Sequence, residues 1–374
     1  MENNKKTILI ISPNFLEPTA WMVSAYKTAL ALSKHAKIVV LTSQTKNSLN
    51  YEKIENVEVY RTKAHYIPDP FNYTFTPYIF KDLKKLLKKY KFDNIIISKY
   101  MFFTSLTGLY LKFKKVDYTL QTDTFPGYIW FAPSKILNFF MWIYTRTLGL
   151  IILKLAKKII LLHKGLEKPA KKLGLKNFKI IHNGIDFEKF DNAKPAKDIL
   201  KIKKNRFLVT YLGRLDEIKG YKFVLKAAEI LHKKNKNIHF LFICGNKYLD
   251  KQKELQKKYP FISFFGFRKD IPNIFKSSDA HILSSYNEGL PNSILEAMAS
   301  KCPVISTNVG AVPYLIENKK TGLIINQSEE EIVKAIEILF NNPRLKENII
   351  KNGYKKIKKE FNWDIISKQI IDIL

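Results

Sequence analysis

Ser284-Ser-Tyr-Asn-Glu-Gly-Leu-Pro-Asn-Ser-Ile-Leu-Glu-Ala-Met-Ala299 stands between two short apolar runs, Ala280–Ser284 and Pro303–Ser306. A buried run, a polar loop with one glycine and a helix opened by proline make a strand–loop–helix unit of a parallel sheet. Pro291 suits the first helical turn, where its missing N–H costs nothing. Gly289 lets the backbone approach a ligand closely. Glu288 lies in the loop after the strand, and the free amides near Leu290–Ser293 point at whatever lies beyond it. Glu296 falls in the second helical turn, where a carboxylate can accept from two adjacent hydroxyls, as an acidic residue accepts from a ribose in dinucleotide folds. A capped amphipathic helix with solvated glutamates accounts for the helix. It does not account for this order of acid, glycine, proline and acid.

The same alternation extends outward in both directions. Upstream, Phe207–Leu212 reads as a strand, Tyr221–Lys233 as a helix and His239–Cys244 as a strand. Farther back, Thr7–Ile11, Ala36–Thr42, Asn94–Ser98 and Tyr118–Gln121 are buried strands. Between them lie the helices Val23–Lys34 and Pro77–Tyr90, the second with Ile79, Leu83, Leu86, Leu87 and Tyr90 on one stripe. Downstream, Glu329–Phe340 and Leu345–Leu374 read as helical throughout. Asn183–Arg206 is polar and weakly periodic, with Gly184 and Pro195, and reads as the interdomain connection. The chain has 374 residues, more than the ~250–300 that one core supports. The expectation is an α/β protein of two doubly wound, Rossmann-like domains facing each other across a cleft, with residues 1–185 in the first and 186–360 in the second. A ligand of such a fold sits at the carboxyl ends of the strands.

A second constellation stands at one such end. In Tyr211-Leu-Gly-Arg-Leu-Asp-Glu-Ile-Lys-Gly220, a strand closes at Gly213, Arg214 leaves it, and Lys219-Gly220 opens the next helix. Arginine offers a planar fork of donors to phosphate oxygens, and lysine a point charge beside a helix N-terminus. An ordinary strand–loop–helix with two surface cations would look similar. No G-x-x-x-x-G-K-[ST] loop, no G-x-G-x-x-G after a strand, no D-x-D pair and no metal-spaced His/Cys cluster occurs. Phosphates would therefore be neutralised by side-chain cations and backbone amides.

Lys and Arg total 64 against 33 Asp and Glu, a net +31. Both halves are basic, +18 over residues 1–190 and +13 over the rest. A field of that sign draws anionic partners: phosphorylated substrates, an acidic membrane surface or nucleic acid. Cys244 and Cys302 are too few for a disulfide framework or metal cluster; a reducing compartment fits, and both read as small buried hydrophobes. The opening MENNKKTILIISPNF, with Ile8–Ile11 as its apolar run, reads as a first buried strand and not a signal peptide. No segment reaches the roughly 18 uncharged apolar residues of a spanning helix. Ile136–Leu162 comes nearest, interrupted by Arg146, Lys154, Lys157 and Lys158.

Gly213-Arg214, Lys219-Gly220, the Glu288-x7-Glu296 pair, Phe265-Gly-Phe-Arg268 with Asp270-Ile-Pro272, and Ile181-His-Asn-Gly-Ile-Asp186 resemble the retaining glycosyltransferases of family 4, which have the GT-B fold. The resemblance spans roughly Ile180 to Leu323 and extends more weakly over the rest. It implies an acceptor-binding first domain and a nucleotide-sugar-binding second domain. It implies that Arg214 and Lys219 bind the donor diphosphate, Glu296 the ribose and Glu288 the donor sugar. Gly213, Gly289, Leu290, Pro291 and Asn292 complete that site, with Phe267 and Arg268 flanking the base. Family members need no metal or cofactor, and their last helix crosses back to the first domain, a role open to residues 361–374. The leaving phosphate can assist the incoming hydroxyl, so no protein nucleophile is nominated.

The first half departs from the family. The loop Ser12–Trp21 lacks the glycine pair usual after the first strand. Where many members carry a histidine, this chain reads Leu120-Gln-Thr-Asp-Thr-Phe-Pro-Gly127, leaving Asp123 or Gln121 to stand in. His163 and His182 are lone, and a structural role suits each as well as a functional one. Lys81, Lys84, Lys85, Lys88 and Lys89 line the polar face of their helix, and Asn138–Lys158 mixes aromatic rings with cations. Docking on an anionic membrane and a solvated face beside a mostly buried helix both remain open. The expected enzyme is cytoplasmic, works at the inner membrane face and serves a lipid-linked or glycan acceptor in cell-surface polysaccharide or glycolipid synthesis. A nucleotide-sugar epimerase on the same plan is the enzymatic rival. A basic nucleic-acid-binding protein is the other, disfavoured because no recognition motif or aromatic platform appears.

Overall fold

The computed structural model describes every residue except 1–4, 16–22, 46–47, 68–72, 130, 132–133 and 235. The chain divides into two units, Met1–Gly184 with Trp363–Leu374, and Ile185–Asn362.

The first unit contains β1 (Thr7–Ser12), β2 (Lys37–Ser43), β3 (Tyr51–Ile54), β4 (Val57–Thr62), β5 (His65–Ile67), β6 (Tyr73–Phe75), β7 (Asn94–Ser98), β8 (Thr119–Thr122), β9 (Lys158–Leu161) and β10 (Phe178–Ile180). Its main sheet runs β10-β9-β8-β7-β1-β2-β4-β3, and β5 and β6 pair separately. All neighbours are parallel except the antiparallel edge strand β3. Helices cover both faces, which is why β1 reads as continuous isoleucine and leucine. Ile8 and Ile10 pack with Ile366 and Ile370 of the helix Trp363–Ile373 and with Ala29 and Leu32 of Val23–Ser33. Leu9 and Ile11 face the other way, toward Leu83 of Ile79–Lys89 and Ile152 of Leu148–Leu155.

The second unit contains β11 (Phe207–Leu212), β12 (Ile238–Ile243), β13 (Ile262–Phe265), β14 (Ala280–Leu283), β15 (Val304–Thr307) and β16 (Leu323–Ile325). They form one parallel sheet in the order β13-β12-β11-β14-β15-β16. The chain leaves β11 in one direction through β12 and β13, then returns to the other side of β11 with β14. The connections after β11 and β14 therefore build the sheet in opposite directions, which makes the carboxyl edge between these two strands its switch point.

Two sequence readings need correction. Asn183–Arg206 is not an irregular linker: it holds the helices Phe187–Asp191 and Lys197–Lys203, with Phe187, Phe190 and Ile199 buried. Each is too short for its periodicity to show. The last helical stretch is not continuous: Pro343–Glu360 lies in the second unit and Trp363–Ile373 in the first. The ring of Trp363 lies 2.5 Å from where a Cβ on Gly184 would stand, so the returning helix needs glycine there. One helical segment, Lys135–Leu155, with Arg146 and Lys154 inside it, is long and apolar enough by length and composition to cross a membrane. It bends at Thr147 (φ −116°, ψ −103°) into Lys135–Arg146 and Leu148–Leu155.

Candidate functional site

The loops after β11 and β14 are held together at the switch of the second sheet. The Gly213 N–H donates to the Ile243 carbonyl at 3.1 Å, extending the β11–β12 ladder, and the chain then turns away. Arg214 projects with 60% of its side chain exposed, its Nε 3.1 Å from Asp216 Oδ2. The other Asp216 oxygen accepts from the Lys219 N–H at 3.1 Å, fixing the turn before the helix Tyr221–Lys233.

Gly220 has φ +62°, and a Cβ there would lie 2.0 Å from the Ser284 carbonyl oxygen. Only glycine permits that approach. Ser284 Oγ donates to the Lys219 and Gly220 carbonyls at 3.1 and 3.0 Å, and the Tyr286 N–H donates to the Ile218 carbonyl at 2.7 Å. With the backbones so joined, Lys219 Nζ meets Glu288 Oε1 at 2.6 Å. Ser285 Oγ donates to the same oxygen at 2.6 Å, and the Glu288 side chain is only 10% exposed.

A second close approach fixes the Glu288 loop from behind. Gly310, φ +55°, places a hypothetical Cβ 2.0 Å from the Glu288 carbonyl oxygen. The Ala311 N–H donates to the Gly289 carbonyl at 2.9 Å, and Thr307 Oγ1 to the Ser285 carbonyl at 2.7 Å. Gln327 Nε2 donates to the Ser284 carbonyl at 2.6 Å. Pro291 is the residue before the first helical turn, with ψ 102°, one position earlier than expected. In the helix Asn292–Ala299, Ile294, Leu295 and Ala297–Ala299 are buried, while Asn292, Ser293 and Glu296 are half-buried on the outward side. Leu290 is half-buried beside them.

Phe267 and Arg268 follow β13. Phe267 is exposed, and its N–H donates to Asn246 Oδ1 at 2.9 Å. The Arg268 guanidinium grips two carboxylates, with Nη1 2.6 Å from Asp198 and Nη2 2.7 Å from Asp270. Those bonds hold both acids below the usual carboxylate range. Arg268 thereby ties the helix Lys197–Lys203 to the start of Ile271–Ser277.

In the first unit, Lys99, Asp123 and His163 follow β7, β8 and β9. Lys99 Nζ lies 3.1 Å from Asp123 Oδ2, and His163 Nε2 donates to the Asp123 carbonyl at 3.1 Å. Burial pushes the Asp123 carboxyl up, but the Lys99 ammonium outweighs it and the group lies below its ordinary value. Burial lowers the His163 imidazole, opposed by the Asp123 contacts. Gln121 is a buried member of β8 paired with Ser98. Asp123, on the loop, is thus the residue placed at the strand's carboxyl edge. Residues 16–21 of the glycine-free loop lie outside the described residues. Sequence reasoning missed Lys99, Ser285, Thr307, Gly310 and Gln327. An isolated glycine just past a strand was the available signal for Gly310; the others gave none. Among the described residues no group of three or more His, Cys, Asp or Glu side chains could hold a metal ion.

Two family models match the chain: "Glycosyltransferase Family 4" over residues 23–189 and "Glycosyl transferases group 1" over 192–356. An uncharacterized glycosyltransferase of Methanocaldococcus jannaschii is 28% identical, covering 96% of each chain. The Escherichia coli UDP-Gal:alpha-D-GlcNAc-diphosphoundecaprenol alpha-1,3-galactosyltransferase is 28% identical over 75% of this chain and 78% of its own. In fold, the chain is similar to sucrose-phosphate synthase from Thermosynechococcus elongatus, with a TM-score of 0.80, 18% identity, and 99% and 98% of the two chains covered. Both sheets, parallel but for the edge strand β3, switch direction at their first strand. The chain belongs to the family 4, group 1 glycosyltransferases and has their GT-B fold.

Proposed function

We propose that this enzyme moves a sugar from a nucleoside-diphosphate sugar to an acceptor hydroxyl with retention of configuration and without a metal ion or cofactor. The observation that carries the reading is the Lys219–Glu288 pair, fixed at the switch point by Gly220 and Gly310 with Arg214 projecting beside it. In this reading Arg214 and Lys219 bind the diphosphate and stabilise the charge that develops as the sugar–phosphate bond breaks. Lys219 swings between Glu288 and the phosphate, while Glu288 accepts from the sugar hydroxyls. Glu296 accepts from the ribose, the backbone of Gly213 and of Gly289–Asn292 lines the donor, and Phe267 with Arg268 borders the base. At the carboxyl edge of the first unit's sheet, Asp123 takes the place of the histidine that many family members carry.

The Escherichia coli relative, by its name, uses UDP-galactose and a diphosphoundecaprenol-linked sugar. That supports a nucleotide-sugar donor and a lipid-linked or glycan acceptor in cell-surface polysaccharide or glycolipid synthesis, at the cytoplasmic face of a membrane. Membership in a transferase family favours this over the epimerase and nucleic-acid readings.

The test is a panel of nucleotide sugars scored by melting point, since the true donor stabilises by mass action, followed by transfer assays with the anomeric configuration of the product read by NMR. Lys219→Ala and Glu296→Ala should each lower transfer by about 10²–10³-fold, the cost of losing one preorganised charge contact, with the fold intact. Unchanged turnover in both variants would sink the site assignment.

A further inference from the structure

The helix Lys135–Arg146 carries its apolar side outward. Ile136, Phe139, Phe140 and Trp142 are 72%, 59%, 61% and 42% exposed. At 100° per residue they share one arc with Lys135, and no acid interrupts it. The inward side is mixed, with polar anchors beside the half-buried Leu137 and Met141. Thr145 is buried and donates to the Pro126 carbonyl at 2.9 Å, and the Tyr144 hydroxyl donates to the Tyr100 carbonyl at 2.6 Å. Gly127 lies so close beneath that a Cβ there would stand 3.0 Å from Trp142 Cβ. An ordinary surface helix turns its largest apolar side chains inward.

Past the bend at Thr147, Leu148, Ile151 and Leu155 continue the outward apolar strip, while Ile152 and Leu153 are fully buried against the sheet. Crossing a bilayer would tear those two residues out of the core. A helix lying in the plane of the surface leaves them in place. Charge identifies the surface. From Thr124 to Leu166 the sequence has no acidic residue and six cations, Lys135, Arg146, Lys154, Lys157, Lys158 and Lys164. The Arg146 guanidinium sits 4.0 Å from the Trp142 ring centroid, joining aromatic and cation at one end of the strip. Two copies of the chain meeting here would bring like charges together; anionic headgroups neutralise them.

We propose that this strip docks on a bilayer containing anionic lipid, with the rings of Phe139, Phe140 and Trp142 at the acyl boundary and the cations among the headgroups. The helix rests on the loop after Asp123, so docking would bring the candidate acceptor side of the first unit to the surface that holds a lipid-linked acceptor. This deepens the lipid-linked reading given above, and its test does not depend on catalysis.

The full chain is floated with vesicles of phosphatidylcholine alone and of phosphatidylcholine with phosphatidylglycerol, beside sedimentation velocity without lipid. Each cation held at an anionic surface adds about fivefold in partitioning, so binding to the mixed vesicles should exceed that to phosphatidylcholine at least tenfold. Phe139→Ser with Phe140→Ser, and separately Ile136→Ser, change exposed side chains; both should lose most of that binding and keep the melting-point shift given by nucleotide sugars. Absence of flotation by the native chain, equal flotation by the variants, or a lipid-free dimer that the variants dissolve would overturn the proposal. Flotation without any nucleotide shift would leave it standing and count against the donor site instead.

Discussion

Alanine at Gly310 tests whether the pose of Glu288 is set from behind, by backbone contact. At φ +55°, a Cβ on residue 310 would lie 2.0 Å from the Glu288 carbonyl oxygen, 2.6 Å from its carbon and 2.8 Å from the Gly289 oxygen. Real contacts of this kind do not fall below 3.0 Å, so relief demands about 1 Å of backbone movement. The Gly310 side cannot easily supply it, because Ala311, Val312 and Leu315 are buried immediately after it. The Glu288 loop must yield, and the 2.6 Å contacts from Lys219 and Ser285 stretch beyond hydrogen-bonding reach. A misplacement of 1 Å near the chemistry costs on the order of 10²-fold in rate. Alanine in the left-handed region adds roughly 1–2 kcal/mol of strain, worth about 2–8 °C in the melting point of a unit this size. The assay is transfer from the donor identified by thermal shift, run below the variant's melting onset. Gly245→Ala is the control: it lies on the loop after β12, its φ is −71°, and a Cβ there meets nothing within 4 Å. It should leave rate and melting unchanged. A Gly310→Ala enzyme with native turnover and melting point would refute the argument that backbone proximity sets the carboxylate.

Asp123→Asn removes a carboxylate held below its ordinary range chiefly by Lys99 against the opposing effect of burial. Transfer should fall about 10²–10³-fold, as for loss of one positioned acid–base or electrostatic group; the native chain should be the more stable above about pH 4 and the two should converge below it. His239 and His281 are both depressed to about 4, each mainly by burial. Their folded values lie below the unfolded value near 6.5, so their contribution is complete above about pH 6.5 and is lost as pH falls toward 4, up to about 3 kcal/mol each. Urea midpoints of the second unit should therefore be flat above pH 7 and fall as pH drops from 6.5 to 5, and His281→Leu should remove about one proton from that slope. A slope unchanged by the substitution would exclude His281 as a source.

The candidate donor loops were legible because their residues act locally. A glycine, a proline and two acids each have a conformational or chemical property that shows in sequence. Glu288 stands out in the sequence, but Ser285 and Gly310, which fix it, do not: a serine gives no signal, and a glycine just past a strand does not say what passes close to it. The same holds for Lys99, 24 residues from its partner Asp123. β13, with one fully buried position in four, and β16, with three residues, gave no pattern to read. The helix Lys135–Arg146 resisted reading for another reason. Its wheel lacks a clean polar side because its hydroxyl-bearing face points at protein and its rings point outward, so amphipathicity was judged against the wrong solvent.

Topology and motif point to the same candidate site in the second unit, and topology alone points to one in the first. Each sheet begins at an interior strand, builds outward on one side, and returns to build on the other, so each has a crevice where no crossover helix covers the carboxyl edge. In the second unit the crevice is bridged by Lys219 and Glu288, one from each side of the switch. In the first unit the switch lies between β1 and β7, and Lys99 is the residue that leaves β7. It does so at φ +66°, a conformation that costs a non-glycine residue roughly 1–2 kcal/mol. The Lys99 N–H bonded to the Gln121 carbonyl at 2.8 Å and the ammonium on Asp123 at 3.1 Å hold it there. Strain maintained by two separate contacts beside a switch point is the mark of a residue kept for its position. The first unit therefore matches the second in device, a lysine orienting a carboxylate at the edge of the sheet, although it shares none of its sequence motifs.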